Sequence, residues 1–135
     1  MVSAVRVVMI LILLNCTSCQ SETLLFESES GNTDPVSYAS QIEPIFQVSC
    51  GGSFCHVGET TAGVDLTSYA ATMTSMGTQY QSLIILAGNA SESPILDKLT
   101  DSPRFGARMP LNKSRLLANE INLIQNWIDQ GANNN

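Results

Sequence analysis

Residues 49–58 read SCGGSFCHVG and contain two cysteines together with the single histidine of the chain. Four residues separate Cys50 from Cys55, and His56 follows the second cysteine directly. Thiols and an imidazole this close in sequence can form a disulfide loop, ligate a metal ion, or hold a covalently attached cofactor. The function inferred for the chain depends on which of these sites the loop forms, so this stretch is the strongest constraint on the chain.

The three kinds of site place different demands on the residues. A Cys50–Cys55 disulfide suits an exported protein, but it closes a small loop with limited entropic stabilisation and gives His56 no role. A structural zinc site needs four cysteine or histidine ligands, and only three remain if the cysteines near the N-terminus belong to a leader. Covalent haem attachment has the ordinary spacing C-x-x-C-H. Here the loop has two further residues, and Gly51 and Gly52 give the backbone the freedom to accommodate them.

Residues 1–19 have the pattern of an export signal. One basic residue, Arg6, precedes an apolar run from Val7 to Leu14. This run is shorter than the roughly 20 residues of a membrane span and predicts a signal peptide. Cys16 and Cys19 after the run are typical of a lipoprotein signal, with cleavage before one or the other and a lipid anchor on that cysteine. Ordinary cleavage that leaves a soluble periplasmic protein is the alternative. We expect export to the periplasm, or to a periplasm-facing or outer-membrane surface.

The remaining chain has room for one domain. Residues 20–34 are rich in serine, glutamate and threonine without helical or strand periodicity, and this predicts a flexible tether. The folded domain is expected at residues 35–132, followed by a tail at 133–135. Its first helix is predicted within residues 35–49, with Asp34 as N-cap before Pro35. Pro44 is expected to kink or restart that helix.

The other elements are expected to be mostly helical, with long loops between the first and last helices. A short helix that carries Tyr69 and Met73 is predicted after Thr67 or Ser68 as cap, residues 75–81 as a loop, and Pro94–Leu99 as a second short helix. Residues 101–112, DSPRFGARMPLN, predict an ordered but irregular loop. The last helix shows the clearest pattern, with apolar residues at helical spacing beside Trp127 and an end near Gly131. Its predicted apolar positions are Leu117, Ile121, Ile124 and Ile128.

The net charge of the chain limits the kinds of partner that it can bind. Twelve acidic and six basic residues produce a formal net charge of −6. Such a surface repels phosphate backbones, which argues against a nucleic-acid partner, and it favours a partner protein with a basic surface.

Several segments, in order, resemble the small bacterial cytochrome c-like domains related to the planctomycete-type cytochrome c family. They are IEPIFQVSC, CH, AGVDLTSYA, SPILDKL, RMP and EINLIQNWIDQGA, and the resemblance covers about residues 38–132. It implies a cytochrome c-like fold in which the first and last helices pack around covalent haem c. It also implies that Cys50 and Cys55 attach the haem and that His56 and Met109 bind its iron. The family usually has a serine or threonine cap before the last helix, where this chain has Leu117.

The resemblance implies an electron carrier rather than an enzyme. A haem-based ligand-binding module with an open sixth position, or a haem-free interaction module with a Cys50–Cys55 disulfide, are the alternatives. Other residues have two interpretations each. Met73 and Met76 are rival iron ligands or core and surface residues, and Tyr69 lines the pocket or packs in the core. Arg104 and Arg108 pair with haem propionates or are solvated.

Overall fold

The computed structural model describes residues 34–135. The predicted signal peptide, with Cys16 and Cys19, and residues 20–33 of the predicted tether lie outside the described residues. Within residues 34–135, no helix combines the length and the apolar character that a membrane span requires. The described part contains the whole of the predicted domain.

Helices dominate residues 34–135, as the sequence predicts, and long irregular segments connect them. The helical elements of this part are a π-helix at Tyr38–Ile42, a 3-10 turn at Thr61–Gly63, and the α-helices α1 (Glu43–Ser49), α2 (Tyr69–Thr74), α3 (Pro94–Leu99) and α4 (Ala118–Asp129). Strands β1 (Met76–Gly77) and β2 (Ser82–Leu83) form an antiparallel pair with Met76 opposite Leu83 and Gly77 opposite Ser82. The prediction of a loop over residues 75–81 was therefore wrong for β1.

The first helix begins later than predicted. Ser37, not Asp34, is its N-cap, because the Ser37 side chain accepts a hydrogen bond from the backbone N–H of Ser40. The chain continues from the π-helix directly into α1, and Pro44 stands in the first turn of α1. A proline is tolerated there because the N–H groups of a first turn have no partner within the helix. Pro44 thus marks a restart of the helix, one of the two outcomes expected for it.

Serine residues also fix the two short helices in different ways. Ser68 caps α2 by accepting a hydrogen bond from the N–H of Ala71 at 3.2 Å, which confirms one of the two predicted caps. Ser93 precedes α3 at the predicted position, but its side chain makes no cap hydrogen bond. Its buried hydroxyl instead accepts from the N–H of Leu86 at 2.8 Å and holds the segment before α3 in place.

The core centres on Trp127, which is fully buried where α4 meets the first helix. Its rings lie 5.4 Å from the ring of Tyr38 and 6.5 Å from those of Phe46 and Tyr69, measured between centroids. Its indole N–H donates to the carbonyl of Asn133 at 2.9 Å. Trp127 therefore packs α4 onto the first helix.

The apolar face of α4 is confirmed in its second half and wrong at its start. Ile124 and Ile128 are fully buried and Ile121 is half-buried, whereas Leu117 is 64% exposed. Leu117 is the N-cap, outside the helical period, and the preceding Leu116 is buried in its place. The Glu120 side chain accepts from the N–H of Leu117 at 2.8 Å. Leucine has no side-chain acceptor, so only this half of a capping box forms.

Hydrogen bonds join Asn135 to the start of the first helix. The backbone carbonyl of Asn135 accepts from the N–H of Ala39 and from the hydroxyl of Ser37, and the Asn135 side chain accepts from the N–H of Tyr38. Residues predicted as a tail thus complete hydrogen bonds at the start of the helix.

The Trp127→Ala variant should lower the free energy of unfolding by about 3–5 kcal/mol, because it removes a fully buried ring and leaves a cavity between both helices. Chemical denaturation followed by circular dichroism measures this loss. The matched control is Leu117→Ala, which removes an exposed side chain and should change stability by less than about 0.5 kcal/mol. Equal losses for the two variants would contradict the placement of the core.

Candidate functional site

The loop after α1 returns close to its own beginning. Cys50 ends α1, and its carbonyl accepts a hydrogen bond from the N–H of His56 at 3.1 Å. The N–H of Cys55 donates to the carbonyl of Gly52 at 3.1 Å inside the loop. The four residues between the cysteines therefore bulge outward, and the first cysteine and the histidine remain neighbours despite the long spacing.

Both glycines of the loop are required by its conformation. A side chain at Gly51 would collide with the carbonyl of Gln47 in α1. Gly52 has a φ of 124°, which residues with a Cβ rarely adopt. Phe54 also has a positive φ, 63°, and its side chain is 85% exposed. The bulge thus carries an exposed aromatic residue at a position with an unfavourable backbone conformation.

The side chain of His56 is half-buried and oriented by the segment that follows the loop. Its Nδ1 atom lies 3.4 Å from the carbonyl oxygen of Val64. Because a carbonyl only accepts hydrogen bonds, this contact favours a proton on Nδ1 and leaves the lone pair of Nε2 available. The His56 backbone is fixed as well, since its carbonyl accepts from the N–H of Leu66 at 2.6 Å.

A single cavity brings Cys50, His56 and Met109 together. Its volume is about 110 Å³, and it opens to solvent. Most of its other lining residues are apolar or contribute apolar side-chain atoms, and they come from the segments before α2, from β1 and the turn after it, and from α3. They are Ala62, Val64, Leu66, Gly77, Thr78, Gln79, Tyr80, Ile84, Pro94, Ile95, Lys98 and Leu99. Cys55 is half-buried beside His56 and is not one of the lining residues.

Met109 is positioned by α3. Its backbone N–H donates to the carbonyl of Lys98 at 2.8 Å. The Lys98 ammonium group in turn donates to the carbonyls of Phe105 and Ala107, at 2.8 and 2.6 Å. These bonds fold the irregular segment before Met109 back onto the end of α3. They explain how a residue 53 positions after His56 reaches the same cavity.

Three polar side chains, Tyr80, Asp97 and Arg104, form a cluster at the border of the cavity on the side of α3. The Tyr80 hydroxyl donates to the Asp97 carboxylate, and the Arg104 guanidinium lies 3.6 Å from that carboxylate and 5.5 Å from the centre of the Tyr80 ring. Burial, followed by the bond to the carboxylate, raises the pKa of Tyr80 to about 12. Burial alone would raise the pKa of Asp97, but the hydrogen bonds from Tyr80 and from the Arg104 backbone outweigh it and lower the pKa.

The two thiols of the loop are free, and no disulfide joins cysteines within residues 34–135. Burial raises the pKa of the Cys50 thiol from 9.0 to about 11, and the positive charge of Lys113 opposes this shift in part. Lys113 approaches the loop directly, because its ammonium group donates to the carbonyl of Gly51 at 2.5 Å. Cys50 is therefore a neutral thiol near pH 7 that faces an apolar space.

The remaining residues singled out in the sequence lie elsewhere. Tyr69 does not line the cavity; its hydroxyl donates to the carbonyl of Ala132 and its ring packs edge-on against Tyr38. Met73 is half-buried against the core and Met76 is 55% exposed, and neither lines the cavity. Arg108 donates to the carbonyl of Met109 at 3.1 Å.

Sequence reasoning missed four residues that organise the site. They are Val64, Tyr80, Lys98 and Lys113. Their hydrogen-bond partners lie between 7 and 62 positions away in the sequence. Val64 lies within the AGVDLTSYA segment that carries the resemblance, so that segment signalled its region though not its role. Nothing in the local pattern around the other three indicates a contact with the site.

Comparison with protein-family models, with curated proteins and with solved structures finds no match to this chain. Within residues 34–135, no three side chains of histidine, cysteine, aspartate or glutamate are grouped as metal ligands. The cavity instead groups one thiol, one imidazole and one thioether.

The raised pKa of Cys50 predicts slow alkylation in protein without an attached cofactor. In a Cys55→Ser variant, iodoacetamide at pH 8 should modify Cys50 roughly 100-fold more slowly in the folded protein than in urea, because far less thiolate is present. The folded rate should keep rising as the pH approaches 11. Mass spectrometry of the alkylated peptide measures both rates. Similar rates in folded and unfolded protein would show that the thiol is not buried.

Proposed function

We propose that this protein is a monohaem c-type cytochrome that carries electrons, with haem c attached through Cys50 and Cys55 and its iron bound by His56 and Met109. One observation carries the proposal: a thiol, an imidazole and a thioether line the same apolar cavity. We also propose that the helix-dominated fold is cytochrome c-like, with the first and last helices packed beside the haem.

The cavity supports the proposal through its chemistry. Ligand pockets typically have mostly apolar walls with a few placed polar groups. The cavity has such walls, and its polar groups, Lys98, Tyr80 and Gln79, come from α3 and from the turn after β1. An apolar macrocycle with a polar edge fits such a lining better than a small polar ligand would.

The proposed role of His56 rests on its orientation. A histidine that ligates a metal commonly donates its other ring N–H to a carbonyl or carboxylate, which fixes the ring and raises the basicity of the ligating nitrogen. The contact between Nδ1 and the Val64 carbonyl supplies this partner and leaves Nε2 for iron. The loop keeps Cys50 beside His56 through the bond between their backbones.

The proposed role of Met109 rests on the bonds that hold it. Haem iron, when bound, supplies one-electron exchange. Ligation by a thioether together with an imidazole raises its reduction potential. The bond to the Lys98 carbonyl fixes the Met109 backbone, and the Arg108 side chain donates to the Met109 carbonyl. Met73 and Met76, outside the cavity lining, remain packing and surface residues in this proposal.

The cellular setting belongs to the same proposal. We propose that residues 1–19 are a signal peptide, that Cys16 or Cys19 receives a lipid, and that residues 20–34 tether the domain at the periplasmic face of a membrane. The apolar run from Val7 to Leu14 and the cysteines after it support this. A redox partner protein in the same compartment exchanges the electron.

Expression with haem-maturation machinery should yield protein whose mass includes one covalent haem and whose reduced spectrum shows c-type bands. The His56→Ala variant should lose the low-spin spectrum, because the ligand with the oriented Nε2 is absent. Denaturing mass spectrometry and absorbance measure the two properties. Protein with no covalent haem and an intact Cys50–Cys55 disulfide would contradict the proposal and favour the haem-free interaction module.

The Met109→Ala variant should convert the low-spin spectrum to a high-spin one and let the reduced protein bind carbon monoxide, because the sixth position opens. The matched controls are Met73→Ala and Met76→Ala, which should stay low-spin and leave carbon monoxide unbound. Absorbance spectra with and without the gas distinguish the variants. Carbon monoxide binding by the unmodified protein would show that Met109 does not bind iron and would favour the ligand-binding module.

A further inference from the structure

The charges of the described residues are divided sharply between two parts of the chain. Residues 97–117, here named the basic segment, contain five basic and two acidic residues, a net charge of +3. The rest of the described chain, 34–96 and 118–135, contains seven acidic residues and neither lysine nor arginine. The net charge of −6 therefore hides a positively charged segment within an acidic protein.

The basic segment lies at the candidate site. It contains Met109 and Lys98, which line the cavity, and Lys113, which donates to the carbonyl of Gly51 in the cysteine loop. An ion pair links its two halves, because the Arg115 guanidinium lies 2.5 Å from the Asp101 carboxylate. The segment thus runs from the end of α3 to the cysteine loop, next to the groups proposed to hold haem.

Some of this positive charge is not neutralised within the segment. Arg104 and Arg115 have carboxylate partners, Asp97 and Asp101. In residues 34–135 the hydrogen bonds of Arg108 and Lys113 go to backbone carbonyls only, and neither side chain forms an ion pair there.

Apolar side chains project from the same region. Phe105, Leu111 and Leu117 of the basic segment are 46%, 54% and 64% exposed, and Phe54 of the adjoining cysteine loop is 85% exposed. Protein interfaces are enriched in aromatic residues and arginine and combine an apolar centre with a charged rim. The basic segment has this composition, and the acidic remainder of the described chain has no comparable group of cations.

We propose that the basic segment is the docking surface for a redox partner protein that presents an acidic patch. The proposal rests on the proposed function, because it assumes that the electron leaves near Met109. It differs from the expectation of a basic partner, which used the net charge of the whole chain. Electrostatic attraction acts over about 10 Å at ordinary salt, so the charge beside the site determines which partner is attracted.

The test uses two small oxidants of equal and opposite charge, hexacyanoferrate(III) and tris(phenanthroline)cobalt(III), with the full haem-loaded chain. One electron passes from the reduced protein to the oxidant, and hexacyanoferrate(III) becomes hexacyanoferrate(II). The second-order rate with hexacyanoferrate should fall about tenfold as salt rises from about 10 mM to about 200 mM, because salt screens the attraction of the basic segment. The rate with the cobalt complex should rise.

Two double variants with the same change of net charge distinguish an effect of the basic segment from an effect of the net charge of the whole chain. Lys113→Gln with Arg115→Gln lowers the charge by two within the basic segment, and should remove most of the salt dependence. Asn122→Glu with Gln125→Glu lowers it by two on the exposed side of α4, and should leave the slope nearly unchanged. Poly-L-glutamate, as an acidic surface, should slow the hexacyanoferrate reaction of the unmodified protein and leave that of the Lys113/Arg115 variant unaffected.

The outcomes separate this proposal from the proposed function. Protein without covalent haem overturns both. Haem-loaded protein whose rate with hexacyanoferrate rises with salt, or equal slopes for the two double variants, overturns the docking surface alone and leaves the electron carrier intact.

Discussion

The contact of α4 with the first helix at Trp127 is the interaction on which the rest of the domain depends. α4 has 12 residues, whereas α1, α2 and α3 have 7, 6 and 6, and each strand has two. Helices and hairpins this short are not stable alone in water. They persist because Trp127, Phe46 and Tyr38 form a buried aromatic centre and because the chain end is bonded to the first helix. The candidate site is built on loops that extend from this centre.

The elements predicted correctly from the sequence are those with a repeating apolar pattern or a strong start signal. The 3.6-residue period of Ile121, Ile124 and Ile128 predicts the buried face of α4, and Pro94 predicts the start of α3. The period failed at Leu117, because this residue stands just before the helix and the backbone there is extended. The strands were missed since two residues are too few to show alternation.

The candidate site was predictable only in part, for a related reason. Adjacent residues such as Cys55 and His56 are visible in the sequence, and the RMP segment resembles a family motif around Met109. The bonds that assemble the cavity are not visible, because they join Val64 to His56 and Lys98 to Met109 through irregular loops that no repeating pattern in the sequence describes. The segregation of charge into residues 97–117 is fully present in the sequence, but its meaning depends on knowing that this segment borders the cavity.

The aromatic centre and the cavity occupy different parts of the domain. Aromatic residues make up only 6% of the chain, and Trp127, Tyr38, Phe46 and Tyr69 are concentrated at the helix crossing. None of these four rings lines the cavity, where Tyr80, packed edge-on against Phe105, is the aromatic residue among the lining side chains. Side chains that line an unfilled apolar cavity lose dispersion contacts along its walls. A large apolar group held there would restore those contacts, so the cofactor proposed for function would also complete the core on that side.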